Sequence, residues 1–193
     1  MIEMIVIRET LSDERRNATL SRQAFIDMVT NAVEVYKKES FGILLGVRHK
    51  KHYFVSDVIA YQTATNDYET VDVTSFRVNR INFALSHLTN QQVIGDYHSH
   101  PQGPDKLSAT DVADLFKGTP SLTCLVSIYK SRRCEPWKRN PDHSISGGIG
   151  GKFFVRISAF EVEHKKNQLR RLKIVCPYMK RINKLKLYKK KLS

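Results

Sequence analysis

Val93-Ile94-Gly95-Asp96-Tyr97-His98-Ser99-His100-Pro101 runs from apolar residues into two histidines and a proline. Seven residues, Pro101 to Leu107, then separate His100 from Ser108-Ala109-Thr110-Asp111. The first stretch reads as a strand that breaks at Pro101, because proline cannot donate to a ladder. Residues two apart on a strand share a face, roughly 6.5 Å apart along the chain. His98 and His100 therefore present both imidazoles on one side of the strand end, where twist can converge them on one ion. Asp111 can join them from the start of the next helix. Two imidazoles and a carboxylate leave a tetrahedral zinc one open position, the arrangement of a catalytic site rather than a closed structural one. Water there ionises near pH 7, since zinc lowers its pKa to about 7. The chemistry then needs a general base near the metal.

Each piece also has a plainer reading. A lone His-x-His is usually a surface pair. Ser108 and Asp111 resemble a capping box that only starts a helix. The combination, with a strand before it and a helix after it, favours the metal site.

The chain of 193 residues is most simply one domain with room for a core. Hydrophobic residues make up 41% and charged residues 26%, an ordinary globular composition. No apolar run is long enough to span a bilayer. The first residues lack the basic-then-apolar form of a secretory signal, so a cytoplasmic location is expected. Cys124, Cys134 and Cys176 form no Cys-x-x-Cys pair, so neither a disulfide framework nor a cysteine zinc site is implied. The net charge of +13 is concentrated at one end. Residues 165–193 hold 12 Lys and Arg and no acid, while residues 1–164 hold 20 against 19 acids.

Along the chain, Ile2–Arg8 alternates as a strand, and Thr10–Asn17 reads as a polar loop. Ser21 is a candidate N-cap for a helix carrying Ala24, Phe25, Met28, Val29, Ala32, Val33 and Tyr36, ending near Lys37-Lys38. Glu39 leads an apolar strand to Gly46; taken alone, it is an exposed residue at a helix–strand junction. Gly46–His52 reads as a hairpin turn into a strand over Tyr53–Tyr61. Gln62–Tyr68 is loop, Val71–Arg77 a short strand, and Val78–Leu88 a helix. After the histidine strand come a short helix over Asp111–Phe116 and a buried strand over Leu122–Tyr129. Ser131–Gly151 reads as a long loop or loose hairpin, and Phe153–Val162 as a strand. Interleaved strands and helices predict an α/β fold, a mixed sheet with helices packed on it.

A glutamate leading Gly42-Ile43-Leu44-Leu45-Gly46, then His98-Ser99-His100-Pro101, then Ser108 and Asp111, resembles the JAMM motif. JAMM proteins are the zinc metalloprotease branch of the MPN-domain family, whose best-known members are deubiquitinases. The resemblance covers roughly residues 20–162, including the Ala64-Thr65-Asn66 loop. Leu107 departs from it, where many members carry proline; no ligand position is affected. The resemblance implies an MPN-like mixed sheet flanked by helices, of cytidine-deaminase-like architecture, over residues 1–163. A basic C-terminal tail, residues 164–193, would follow. It implies one zinc per chain, held by His98, His100 and Asp111, with a catalytic water as fourth ligand. Glu39 matches the general base and Ser108 the donor to the tetrahedral oxyanion. Ser99 matches a structural position. The implied substrate is the bond after the C-terminal glycine of ubiquitin or a ubiquitin-like protein. The short connections favour a compact prokaryotic type.

Two other functions stand beside this one. A scaffold that pairs with a second MPN domain would need no base. A nucleic-acid-associated protein would use the tail. In that tail Leu169, Leu172, Val175 or Cys176, then Ile182, Leu185 and Tyr188, can line one side of a helix interrupted at Pro177. Its basic residues are then either a solvated face or an anchor for an acidic partner, nucleic acid or anionic lipid. A zinc deaminase is excluded, because no glutamate occupies the third position of His98-Ser99-His100 and no Pro-Cys-x-x-Cys follows.

Overall fold

The computed structural model describes residues 9–11, 16–61, 75–117, 122–166 and 168–191. In chain order they form β1 (Glu9–Leu11), β2 (Asn17–Leu20), α1 (Arg22–Glu34), β3 (Phe41–His49), β4 (His52–Tyr61), α2 (Ser75–Leu88) and β5 (Gln92–Pro101). Then follow α3 (Ala109–Lys117), β6 (Leu122–Lys130), β7 (Lys138–Arg139), β8 (Ile145–Ile149), β9 (Phe153–Glu163), β10 (Gln168–Val175) and α4 (Tyr178–Lys191). The fold is α/β, as expected: a mixed sheet with helices packed on it.

The strands run in the order β1-β10-β2-β4-β3-β5-β6-β9-β8-β7, and β10 also pairs with β9. The first half of β10 lies antiparallel to β9, with Gln168 opposite Glu163. Its second half lies parallel to β2, with Lys173 opposite Asn17. Seven strands therefore close on themselves through β10. The apolar stripe of α1 (Ala24, Phe25, Met28, Val29, Ala32) packs with Leu44, Val55, Tyr97, Val126, Leu172 and Ile174 in the main core. On the other face, α2 sets Ile81 and Leu85 on Ile43, Leu45 and Val93. There too α3 sets Leu115 against Leu125, Phe160, Val162 and Leu169. Burial on both faces explains why β3 and β6 read as continuous apolar runs. Parallel pairing of β5 and β6 requires a crossover, and α3 is that crossover.

Ser21 is the N-cap of α1, its hydroxyl accepting from the Ala24 amide. The helix ends at Glu34, short of Lys37-Lys38, and Lys37 turns the chain at φ 89°. Several expectations are corrected. Thr10–Asn17 is not all loop, because β1 takes Thr10 and Leu11 and β2 begins at Asn17. Both strands are too short to show a period, and their pairing partners β4 and β10 are remote in sequence. The β3–β4 turn is only Lys50-Lys51, with a bulge between Leu45 and Gly46. Ser75–Arg77 open α2 rather than ending a strand. Of the two readings of Ser131–Gly151, the hairpin holds, with β7 antiparallel to β8. The strand expected over Ile2–Arg8 and the Gln62–Tyr68 loop lie outside the described residues, as do residues 71–74 of the strand expected next.

The largest correction concerns the tail. Residues 168–175 are not helix but β10, so the segment beginning at 164 supplies a strand of the domain's own sheet. The apparent helical period arises because the strand is buried on both sides in turn. Leu169 faces the α3 cluster, while Leu172, Ile174 and Cys176 enter the main core. Two of its basic residues are also internal: Arg171 is buried against Phe160 and pairs with Asp142, and Arg170 pairs with Glu163. Only α4 keeps the helical reading, with Tyr178, Met179 and Ile182 on the core. Among the described residues, no helix is long and apolar enough to cross a membrane.

Candidate metal centre

β5 delivers the two histidines on one face, as alternation requires. Their rings lie 5.0 Å apart at 55°. Asp111 arrives on the first turn of α3, with Oδ1 3.5 Å from His98 Nε2 and Oδ2 3.3 Å from His100 Nε2. One ligand atom from each of the three residues lies within 4.8 Å of the others.

The residues fit a metal on two counts. His98 Nε2 is buried and makes no hydrogen bond, a condition costly for a polar atom unless something else occupies it. His100 Nδ1 faces the Pro104 carbonyl at 3.3 Å, so that nitrogen is the donor and Nε2 remains to ligate. The donor set, two imidazoles and one carboxylate, suits zinc with an open position.

Ser108 and Asp111 also form the capping box. The Ser108 amide donates to Asp111 Oδ2 at 2.6 Å, and the Asp111 amide donates to Ser108 Oγ at 3.1 Å. Both readings of this pair therefore hold together: the cap fixes the carboxylate rotamer that meets the histidines. The Ser108 oxygen accepts in the cap, and the side chain is exposed.

Glu39 lies outside the three-residue cluster, in the short segment that leads into β3. It is exposed and immediately precedes Ser40. The Ser40 amide donates to Ser99 Oγ at 2.8 Å, and the Ser99 amide donates to the Ser40 carbonyl at 2.8 Å. Ser99 is fully buried, so its part is structural, as expected. The Phe41–His98 register and this double bond bring Glu39 alongside the histidines.

The electrostatics agree with the geometry. Burial works to raise the Asp111 carboxyl, but the two imidazoles and Ser108 outweigh it and hold it well below the usual carboxylate range. The Asp111 partner raises His100, burial opposes that, and the Glu39 charge adds to it. Burial pushes the carboxyl of Asp96, two residues before His98, up to about 6, despite the Thr123 hydroxyl donated to it.

A family model described as prokaryotic homologs of the JAB domain matches residues 21–140 of this chain. The chain is a prokaryotic JAB-domain protein. All five candidate residues of this JAB-domain protein, Glu39, His98, His100, Ser108 and Asp111, fall inside the matched stretch. Protein DSY2949 of Desulfitobacterium hafniense, known from a solution structure, is 16% identical. It aligns over 82% of this chain and 92% of its own, with a TM-score of 0.56, a likeness of fold. A JAB1/MPN domain protein of Archaeoglobus fulgidus aligns over 81% of this chain and 98% of its own at 14% identity, with a TM-score of only 0.43. A comparison of the sequence with curated proteins finds no match.

The sequence does not single out what holds the loop between His100 and Asp111 of this JAB-domain protein. Gln102 donates its amide to Ile128 O at 2.8 Å and its side-chain amide to Tyr36 OH at 2.7 Å. The Tyr129 hydroxyl reaches Gly103 O at 2.7 Å and the Asp105 carboxylate. The available signal was Arg156, a cation standing within the largely apolar β9 run.

Proposed function

We propose that this JAB-domain protein is a zinc-dependent isopeptidase, hydrolysing the bond after the C-terminal glycine of ubiquitin or a ubiquitin-like modifier. The observation that carries this reading is the convergence of His98, His100 and Asp111 around an orphaned buried nitrogen, with an exposed carboxylate, Glu39, in the segment that leads into the adjacent strand. Zinc held there supplies Lewis acidity and makes water a nucleophile near neutral pH.

The chain's own residues do the rest. Glu39 removes a proton from the attacking water, for which an exposed carboxylate beside the histidines is suited. The Ser108 hydroxyl donates to the carbonyl oxygen as it gains negative charge, stabilising the transition state more than the substrate. Glu39 then returns its proton to the leaving amine, so cleavage ends with a free carboxylate and a free amine. The modifier's extended tail pairs with a strand flanking the site, which suits a chain whose last residues are unstructured before binding.

The test is zinc analysis of the purified chain, then cleavage of a panel of ubiquitin-like fusions by wild type and Glu39→Gln. One zinc per chain, with cleavage that falls at least 100-fold in a variant that keeps its metal, supports the reading. Zinc bound in full with no cleavage of any fusion overturns it. Absence of zinc from protein purified without chelators also overturns it and leaves a non-catalytic MPN-type scaffold.

A second reading rests on α4. Asn183 fastens this helix to the Trp137 backbone, donating to its carbonyl and accepting from its amide, both at 2.8 Å. Lys180, Arg181 and Lys184 are left facing solvent near exposed Arg22. That face suits a polyanion such as nucleic acid, and binding through it weakens steeply with salt. Substitution of the three cations to glutamine tests it by the salt slope.

A further inference from the structure

We propose that Arg156 is a positioning residue for the metal centre, acting through Asp105 on the loop that orients His100. The inference rests on the metal-site reading above and concerns residues outside the ligand set.

Arg156 lies on β9, opposite Ser127 of β6, which is itself paired with His100. Its guanidinium serves three acceptors at once. Nη1 meets Asp105 Oδ2 at 2.9 Å, Nη2 meets Asp142 Oδ2 at 2.6 Å, and Nε donates to Ser144 Oγ at 3.0 Å. Asp142 also takes buried Arg171 from β10, and its other oxygen accepts from the Ser144 hydroxyl at 2.7 Å. A charge-alternating chain thus runs Arg171, Asp142, Arg156, Asp105, ending at Tyr129. It begins on the strand that closes the ring, passes through Asp105 in the loop between His100 and Asp111, and ends on β6.

Asp105 is that loop's anchor. Arg156 holds one carboxylate oxygen and Tyr129 the other. The adjoining residue is Pro104, whose carbonyl accepts from His100 Nδ1 and from the Ser127 hydroxyl. The loop folds back so closely that a Cβ on Gly103 would stand 2.9 Å from the His100 Cβ. His100 therefore takes its orientation, and the choice of which nitrogen carries the proton, from a carbonyl whose place is set by the Arg156–Asp105 pair. Outer partners of this kind control metal affinity without touching the metal. Only a planar fork reaches three acceptors in this spread, so lysine cannot replace it fully.

The experiment measures the zinc dissociation constant, by competition with a chelator, for wild type, Arg156→Gln, Arg156→Lys, Asp105→Asn and the Arg156→Gln/Asp105→Asn double variant. Melting temperatures of the metal-free proteins are recorded alongside. Arg156→Gln and Asp105→Asn are each expected to weaken zinc about 10–100-fold, as outer partners of metal-bound histidines do. The double variant should be no weaker than the worse single, because both break one linkage. Arg156→Lys should fall between. Asp105 sits on a loop surface, so its variant tests the idea even where Arg156→Gln folds poorly.

Glu161→Gln is the control. It breaks a buried ion-pair cluster with Arg16, Arg48 and Tyr53, five residues along β9 from Arg156. It should lower the melting temperature and leave zinc affinity within about twofold, since distant sites act independently. Zinc affinity unchanged in Arg156→Gln and Asp105→Asn overturns the positioning role while the isopeptidase reading stands. Equal weakening in Glu161→Gln also overturns it, by showing a general loss of stability. A wild-type chain that takes up no zinc overturns both readings.

Discussion

Ser40 and Ser99 are joined twice, amide to hydroxyl and amide to carbonyl, each at 2.8 Å. The first bond is from a backbone donor to a side chain, so a substitution can remove it. Ser99→Ala leaves a buried amide without its acceptor, which costs about 1–3 kcal/mol. The expected result is a lower melting temperature with zinc content unchanged. Because Glu39 directly precedes Ser40, turnover should fall while the metal stays; loss of zinc with unchanged turnover would refute this.

Asp111→Asn separates the two tasks of one carboxyl group. Asparagine still accepts from the Ser108 amide, so the start of α3 should survive, although the metal-free fold loses the stabilisation that the Asp111 charge gains from the imidazoles. The charge that faces both imidazoles is gone, so zinc binding should fall at least 100-fold. Calorimetric titration with zinc, beside a circular-dichroism melt of the metal-free protein, checks both halves.

Acid should act on the metal before it acts on the fold. In the metal-free chain Asp111 raises His100 above the ordinary imidazole value of about 6.5. A proton on His100 competes with zinc, so affinity should begin to fall above pH 6.5 as the solution is acidified. The same raised pKa means that protonated His100 stabilises the metal-free fold. That contribution is fully present below about 6.5 and lost as pH rises through the folded value. Zinc affinity and this part of the apo stability therefore run in opposite directions as pH rises from about 6.5 through the raised folded value. Zinc titrations and denaturant melts at three pH values across that window check the opposition.

The carboxylates add a second, lower transition. Asp111 and Asp142 are both held below the ordinary carboxylate range, each against an opposing push from burial. Their contribution is present above about pH 4, the unfolded value, and is lost as pH falls through the depressed folded values. Asp142→Asn should flatten the stability curve of the metal-free protein below pH 4; an unchanged curve would exclude Asp142 from acid unfolding.

Gly46 tests the hairpin that carries the Glu39 strand. A Cβ there would stand 1.9 Å from the Phe54 carbonyl oxygen, a backbone atom that cannot swing aside. Gly46→Ala should destabilise by about 1–3 kcal/mol through overpacking, or more if the bulge beside it cannot adjust. A denaturant midpoint equal to wild type would show that the β3–β4 ladder shifts freely.

The convergence of His98, His100 and Asp111 was legible because each part of it is local. His98 and His100 share a face by the two-residue period of one strand, and Ser108 and Asp111 are three apart at a helix start, where side chain and backbone reach each other. The helix from Ser21 and the strands around Gly95 and Val155 were legible for the same reason: a run of several turns or alternations declares its own period. That much the amino-acid sequence determined by itself. That β10 joins β1 and β2 depended on segments more than a hundred residues away, and that Arg171 is internal rather than solvated depended on Asp142 and Phe160, which other strands bring to it. A basic strand buried on both faces looks like a charged tail until β2 and β9 supply its partners. The same holds at the centre of the molecule. Pro104, Asp105, Tyr129, Asp142 and Arg156 lie on four separate segments, and they acquire a common purpose only when the sheet closes. Tertiary structure decided these points because hydrogen bonds and ion pairs between distant segments leave no period in the chain that makes them.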